Sequence, residues 1–377
     1  MERRKFLQQS TMTAAGLAAS ASISGYASAF IKPNNMTHPF ENSGKYKRFR
    51  PKSKVGFGGV AIGNGFAEHP DIECIQTVEA AWNAGVRYFD TSPWYGLGLS
   101  ERRMGMFLKN KKREDFTLST KVGRLMIPHE DFRHERGLWK GKLNFSYRYD
   151  YTADGIRRSV EDSLQRLGVS SLDIVYIHDL SPDNGDMKEK WLEYFDIAKK
   201  GAMPELTKMR EEGLIKAWGF GVNTIEPILK AIEVADPDIF LSACQYNLVK
   251  HDDLLHKVFP IAAKRDISLV IGSPLCAGFL SDKDRYLYGG DFPVGVKDKL
   301  VALKKVAANH HVDLRTAALQ FCAVPEIVSG VIPGAHTVEQ AEQNAASLLS
   351  GEKVPAVFWA ELKSEKLIAA DAPVPIA

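Results

Sequence analysis

The chain has 377 residues, 45% apolar and 25% charged, with a formal net charge of +3. That balance fits a soluble globular protein long enough to bury a core without disulfide or metal staples. Its Lys and Arg are scattered, with no basic block interleaved with aromatics, which excludes a nucleic-acid footprint and points to a small-molecule ligand.

Residues 1–29 differ from the rest. Arg3 and Arg4 stand beside Lys5, a charge-free Ala- and Ser-rich stretch follows, and it ends in Ala27-Ser28-Ala29. The stretch is too rich in Ser and Gly for a spanning helix, which needs about 20 strongly apolar residues, so no stable membrane anchor is expected. Charge, apolar run and small-residue cleavage site come in the order of a twin-arginine export signal. The export machinery is then a partner, and the protein is expected in the periplasm. Residues 30–50 read as a polar linker.

From residue 54 the chain alternates short apolar runs with amphipathic helical segments. The β-like runs are 54–63, 87–92, 116–122, 172–180, 216–223, 239–247, 268–275 and 327–334. Helical periodicity fits 71–85, 100–109, 154–168, 202–212, 224–235, 252–265, 298–310 and 313–323. A last core helix opens at "TVEQ", where Thr337 and Gln340 have capping-box spacing. Eight strand–helix units, several with strand cores apolar on both faces, predict a single-domain parallel (β/α)₈ TIM barrel over residues 51–350. An open doubly wound sheet is the rival, but "GFGGVAIGNG" has no GxGxxG register feeding a helix. Residues 351–377 read as a C-terminal extension with one more helix.

The cysteines, Cys74, Cys244, Cys276 and Cys322, form no CxxC and no Cys/His pair, so no metal site is expected. Buried free thiols are expected, although Cys244 and Cys276 could meet if their strands are neighbours.

In such a barrel the active site lies at the C-terminal ends of the strands. Asp90 and Tyr95 follow the second run, Lys121 ends the third and His178 ends the fourth, so all four would face one mouth. The ordered motifs "YFDTSPWYGLGLSERRMG", "LSTKVGR", "SVEDSLQRLGVSSLDIVYIHD", "REEGLIKAWGFGVN" and "VIPGAHTVEQAEQN" resemble the aldo-keto reductase superfamily. Within it they look most like the D-threo-aldose 1-dehydrogenase branch. The resemblance implies a catalytic tetrad of Asp90, Tyr95, Lys121 and His178. In that scheme Tyr95 carries the proton that accompanies hydride transfer, and an ammonium at Lys121 lowers the pKa of its phenol. Asp90 holds Lys121, and His178 hydrogen-bonds the substrate oxygen. Trp94 is either a substrate wall or ordinary packing.

The same resemblance implies NAD or NADP extended across the barrel mouth. Gly59 and Val60 would lie near the nicotinamide, Gln245 on its carboxamide side, and Tyr246 stacked near the ring. Ser273, Leu275 and Gly278 would form the pyrophosphate loop, and Gln343 and Asn344 the adenine contacts. The N–H groups opening the Thr337 helix offer a phosphate site on physical grounds alone. "GFGVN" puts Gly221 and Val222 where many relatives carry Ser-Asn, leaving Asn223 as the candidate amide contact. Where NADP-selective relatives present Lys and Arg, this chain has Gly334 and Gln340, with His336 the one nearby candidate. Losing charge-assisted contacts favours NAD.

The aromatic and basic insert 124–151 is either a lid over the mouth, with Trp139 and Tyr147 stacking on a sugar ring, or an Ω-loop closed on its own aromatics. Three functions follow. One is an exported dehydrogenase that oxidises an aldose at C1, or reduces the matching carbonyl, holding its cofactor tightly. Another is a general NADPH-dependent aldehyde or ketone reductase. The third is a cofactor-binding sensor subunit with little chemistry. No oligomeric state follows from the sequence.

Overall fold

A computed structural model describes residues 46–134, 137–289 and 291–375; the export signal and most of the proposed linker lie outside them. Eight parallel strands form the barrel: β1 (Gly56–Gly58), β2 (Tyr88–Asp90), β3 (Thr117–Val122), β6 (Ile174–His178), β7 (Ala217–Val222), β8 (Ile239–Ala243), β9 (Ser268–Gly272) and β10 (Val328–Ile332). Parallel bridges Val55–Val331 and Gly58–Gly334 bring the last strand back to the first. Each strand lies inside a predicted run. The runs overshoot because strand ends turn into mouth loops that keep the same apolar composition.

The helices are α1 (Asp71–Asn83), α2 (Leu99–Leu108), α3 (Ala153–Leu167), α4 (Trp191–Lys200), α5 (Ala202–Glu211), α6 (Glu226–Val234), α7 (Phe259–Lys264), α8 (Val296–Asn309), α9 (Leu314–Ala323), α10 (Val338–Leu349) and α11 (Ala356–Ser364). Helix α4 was not expected, yet Trp191, Phe195 and Ala198 are its buried residues at i, i+4 and i+7. Thr337 Oγ1 accepts from Gln340 N at 3.2 Å, the expected cap of α10, and Gln340 Oε1 accepts from His336 N at 3.2 Å.

Period-two alternation separates two cores. Tyr88, Ile174, Tyr176, Ile239, Leu241, Val270 and Ile332 fill the barrel, while Phe89, Val175, Ile177, Phe220 and Leu269 meet the helices outside. The same alternation puts Asp90 above Tyr88, Lys121 above Ser119 and His178 above Tyr176, on the interior face at the mouth.

The insert corrects the expectation of an irregular segment. It folds as an antiparallel hairpin of β4 (Arg124–Pro128) and β5 (Phe145–Tyr149), with Arg124 opposite Tyr149. Alternation of Phe145, Tyr147 and Tyr149 was the available signal.

The "SERRMG" run is structural. Ser100 Oγ donates to Gly59 O at 2.8 Å, and Arg103 donates to Ile62 O, Asn64 Oδ1 and His69 O, which seats the loop after β1 at the mouth. Glu101 is wholly buried, accepting from Thr120 Oγ1 at 2.7 Å and Arg166 Nε at 2.5 Å. At Gly105 a Cβ would lie 2.3 Å from Leu167 O, so α2 and α3 touch through backbone. Alanine is the better helix former by ~1 kcal/mol, but a backbone clash outweighs that. Gly105→Ala is expected to destabilise the protein by about 2 kcal/mol in denaturant unfolding; a raised midpoint would contradict the close approach.

Candidate active site

The tetrad assembles from the strand register. Lys121 Nζ donates to Asp90 Oδ2 at 2.7 Å and to Thr91 O at 2.8 Å, with both side chains almost fully buried. Ser119 Oγ donates to Asp90 Oδ1 at 2.7 Å. Its single proton is thereby spent, so Tyr88 must donate across the 3.1 Å contact to Ser119 Oγ, and Tyr176 across 3.2 Å to Tyr88. A polar layer inside the barrel thus points every donor at Asp90. Gly221 stands opposite His178, where a Cβ would sit 3.3 Å from Tyr176 Cβ and 3.4 Å from Lys121 Cε.

His178 Nδ1 lies 3.0 Å from Ser92 Oγ, which itself accepts from Trp94 N at 3.1 Å. The Tyr95 ring stands edge-on to the imidazole with centroids 5.7 Å apart. Burial, then the charges of Arg124 and Lys121, hold His178 well below 6.5, so it is neutral at neutral pH.

One expectation needs correction. Lys121 Nζ sits 4.6 Å from the Tyr95 ring centroid, over its face, with its hydrogen bonds given to Asp90 and Thr91. The Tyr95 phenol is pushed well above 10, first by burial, then by Asp90, Tyr288 and Asp179. Asp90 largely cancels the charge of Lys121, so the ammonium does not draw the phenol down here. Tyr95 is a protonated phenol at neutral pH.

Asp90, Tyr95, Lys121 and His178 line one cavity of about 790 Å³, within the range of small-molecule sites. Gly59, Val60, Asn223, Ser273, Leu275, Gly278, His336, Thr337, Gln340, Gln343 and Asn344 line it too, as do Trp94 and Trp139. The two tryptophans pack edge-to-face at 5.5 Å, so Trp94 is both wall and packing. The Trp139 indole N–H makes no hydrogen bond among the described residues.

Three expected contacts do not reach the cavity. Tyr246 is fully buried and stacked on Phe321 at 5.0 Å, because it faces the helices away from the mouth. Gln245 is not among the lining residues; its amide donates to Asn223 O at 2.5 Å. Tyr147 packs behind Trp94 at 4.8 Å and donates to Asp186. All four cysteines are buried free thiols.

Sequence reasoning also missed residues. Lys283 and Arg285, on the loop after β9, line the cavity and act on His336, and Arg315, on α9, lines it and donates to Gln343. His336 stacks on His69 at 4.2 Å and is lowered to about 4 by burial, His69, Lys283 and Arg285, so it is not the cation it was expected to be. Asp179, Asp183, Asn184 and Asp186, on the loop after β6, line the cavity as well, with Arg124 of β4. Nothing in their spacing marks the three cations; they lie 23 or more residues before Val338, where α10 begins.

The cavity suits an extended dinucleotide. Besides Lys121 and Arg124 its cations are Lys283 and Arg285, on the loop after the seventh barrel strand, and Arg315, on α9; the N-terminus of α10, where phosphates are stabilised, lines the cavity too. Asp179, Asp183 and Asp186 lie after the fourth strand, across the barrel, while Asp90 ends the second strand and Glu339 stands in the first turn of α10.

The aldo/keto reductase family model matches residues 54–362. The chain belongs to that family. It is an NAD(P)-dependent oxidoreductase. D-threo-aldose 1-dehydrogenase of Pseudomonas sp is 36% identical over 324 residues, covering 83% of this chain and 94% of that one. Pyridoxal 4-dehydrogenase of Microbacterium luteolum is 34% identical over 330 residues, covering 83% and 94%. Among solved structures, an aldo-keto reductase of Bacillus halodurans in its holo form shares the fold with a TM-score of 0.65 and 22% identity, covering 88% of this chain and 98% of that one.

With Tyr95 as the proton carrier that the family resemblance implies, oxidation would need it as phenolate and reduction as phenol. With the phenol raised by burial, kcat/KM for oxidation is expected to climb from about pH 7 to about pH 10 without levelling, while reduction stays level over the same range. A pH profile of oxidation already flat at neutral pH would show a phenol drawn down by Lys121 instead.

Proposed function

We propose that the protein oxidises a neutral aldose at C1 to the lactone. The observation that carries this reading is the lining of the cavity that Tyr95 and His178 share. Its lining combines the aromatic Trp94 and Trp139 with the polar Asp183, Asn184 and Asn223. Aromatic side chains together with carboxylates and amides in one cavity suit a polyhydroxylated ring that carries no charge of its own. The name of the 36% identical Pseudomonas relative supports the same substrate class.

When bound, the nicotinamide supplies the hydride acceptor. Gly59, Val60 and Asn223 would hold its reactive end, Ser273, Leu275 and Gly278 its diphosphate, and Thr337, Gln340, Gln343 and Asn344 the adenosine. His178 orients the C1 oxygen, Tyr95 takes the hydroxyl proton, and the Lys121–Asp90 pair fixes the floor beneath both. The charge argument for NAD over NADP no longer holds, because Lys283, Arg285 and Arg315 supply the cations missing at Gly334 and Gln340.

A second reading, reduction of an aldehyde or ketone with NADPH, is favoured by the protonated Tyr95 and by those cations. Assays with neutral aldoses, aldose phosphates and aromatic aldehydes, each with both coenzymes, separate the two. Lactone formation from a neutral aldose is the expected result, and turnover confined to aldehydes with NADPH would replace it. Tyr95→Phe is expected to lower kcat by about 10²–10⁴-fold with coenzyme affinity unchanged. A variant with all functions intact would indicate a sensor subunit.

The protein is further proposed to reach the periplasm folded, with its coenzyme tightly bound. Replacing Arg3 and Arg4 with Lys is expected to retain the unprocessed chain in the cytoplasm. Cell fractionation checks this, and unchanged periplasmic yield would remove the proposal.

A further inference from the structure

Arg124 is the residue of this cavity that the chemistry so far leaves unused. Its side chain is only 5% exposed, yet it lines the cavity. Its guanidinium lies over the rings of Trp94, Tyr149 and Tyr147 at 4.8, 5.1 and 5.4 Å. Nη1 donates to Asp179 Oδ2 at 3.0 Å and lies 3.4 Å from His178 Nδ1. Nε is buried with no partner among the described residues. A buried cation with one carboxylate and a spare donor is a costly arrangement, so its position needs a reason.

The imidazole supplies one. Ser92 is permissive towards His178, because its hydroxyl can donate to Nδ1 or accept from it. Arg124 is not, since a guanidinium has donors only. A proton on Nδ1 would face the N–H of Arg124, which leaves Nδ1 as the acceptor and puts the proton on Nε2. We propose that Arg124, held by Asp179 and its aromatic cage, is the positioning residue that keeps His178 neutral with its proton on Nε2. This rests on His178 being the donor to the substrate oxygen, and it specifies which ring nitrogen donates.

Other charges around the ring do not duplicate this role. Lys121 of β3 opposes an imidazolium but is bonded to Asp90 of β2 and does not reach Nδ1. Tyr95 meets the ring edge-on and stays protonated. Asp179 Oδ1 is 3.5 Å from Nε2, with Asp183 and Tyr288 beyond it. Without Arg124, the carboxylate of Asp179 would be unpaired beside the imidazole and would draw a second proton onto it.

The test uses full-length protein labelled with ¹⁵N-histidine, with the His178 signals assigned by their loss in His178→Gln. In the unaltered protein, Nε2 is expected to give a protonated shift and Nδ1 an unprotonated one from about pH 5 to about pH 8. In Arg124→Met both nitrogens should move to imidazolium shifts on the acid side. There kcat/KM should gain an acid limb with the same midpoint and fall about tenfold at its foot, through kcat rather than KM. Arg124→Lys, which keeps a cation, should restore the neutral ring. Should Arg124→Met fail to fold because Asp179 is stranded, Arg124→Met/Asp179→Asn removes both charges and should give mixed tautomer shifts. Nitrogen shifts and pH profile that match the unaltered protein in the folded variants would overturn the proposal. The nitrogen shifts need no substrate, so this inference and the aldose reading can fail separately.

Discussion

Two opposite charges buried at the mouth of a barrel govern the rest of this molecule. Taking Lys121 and Asp90 out of water costs several kcal/mol per ion, and losing either partner would cost ~3–5 kcal/mol because the other would be stranded. The structure offsets that cost with geometry. Asp90 receives Lys121 on one oxygen and Ser119 on the other, and Lys121 also donates to Thr91 O. Because Asp90 opposes Ser119 and Lys121 opposes Tyr176 in the ladder, the strand register that builds the barrel also builds the pair. Tyr88 and Tyr176, in the layer below, complete a chain of donors in an interior where an apolar layer would otherwise serve.

This arrangement changes what the pair does. An ammonium engaged by its own carboxylate projects little net charge onto the phenol beside it. Burial then dominates, and Tyr95 keeps its proton. The pair acts as a rigid floor against which Tyr95 and His178 are placed, more than as a device for making phenolate. The hairpin contributes the other side of the mouth. Trp94, Trp139 and Tyr147 brace one another there, and Arg124 enters among them from its first residue.

The barrel was legible because its signals are local. Strand runs, helix stripes, the Thr337 cap and the strand-end positions of the tetrad all depend on residues near one another in the chain. The hairpin was legible in principle, through the alternation of Phe145, Tyr147 and Tyr149, but aromatics in a long insert also suit a loop. Tyr246 shows the limit. Its neighbour Gln245 follows a strand end, yet one residue of rotation sends the tyrosine into the helical layer.

What the sequence determined by itself was the fold, the family and the four residues at the ends of the second, third and fourth barrel strands, since periodicity and ordered motifs carry those. Which groups share one cavity was decided only by the tertiary structure. Lys283 and Arg285 act on His336, and Arg315 reaches Gln343 on α10, because consecutive units converge at the barrel mouth, and no spacing along the chain encodes those meetings. The protonation of Tyr95, His178 and His336 was likewise beyond the sequence. It depends on burial and on charges brought from other strands, and those distances exist only once the barrel has closed.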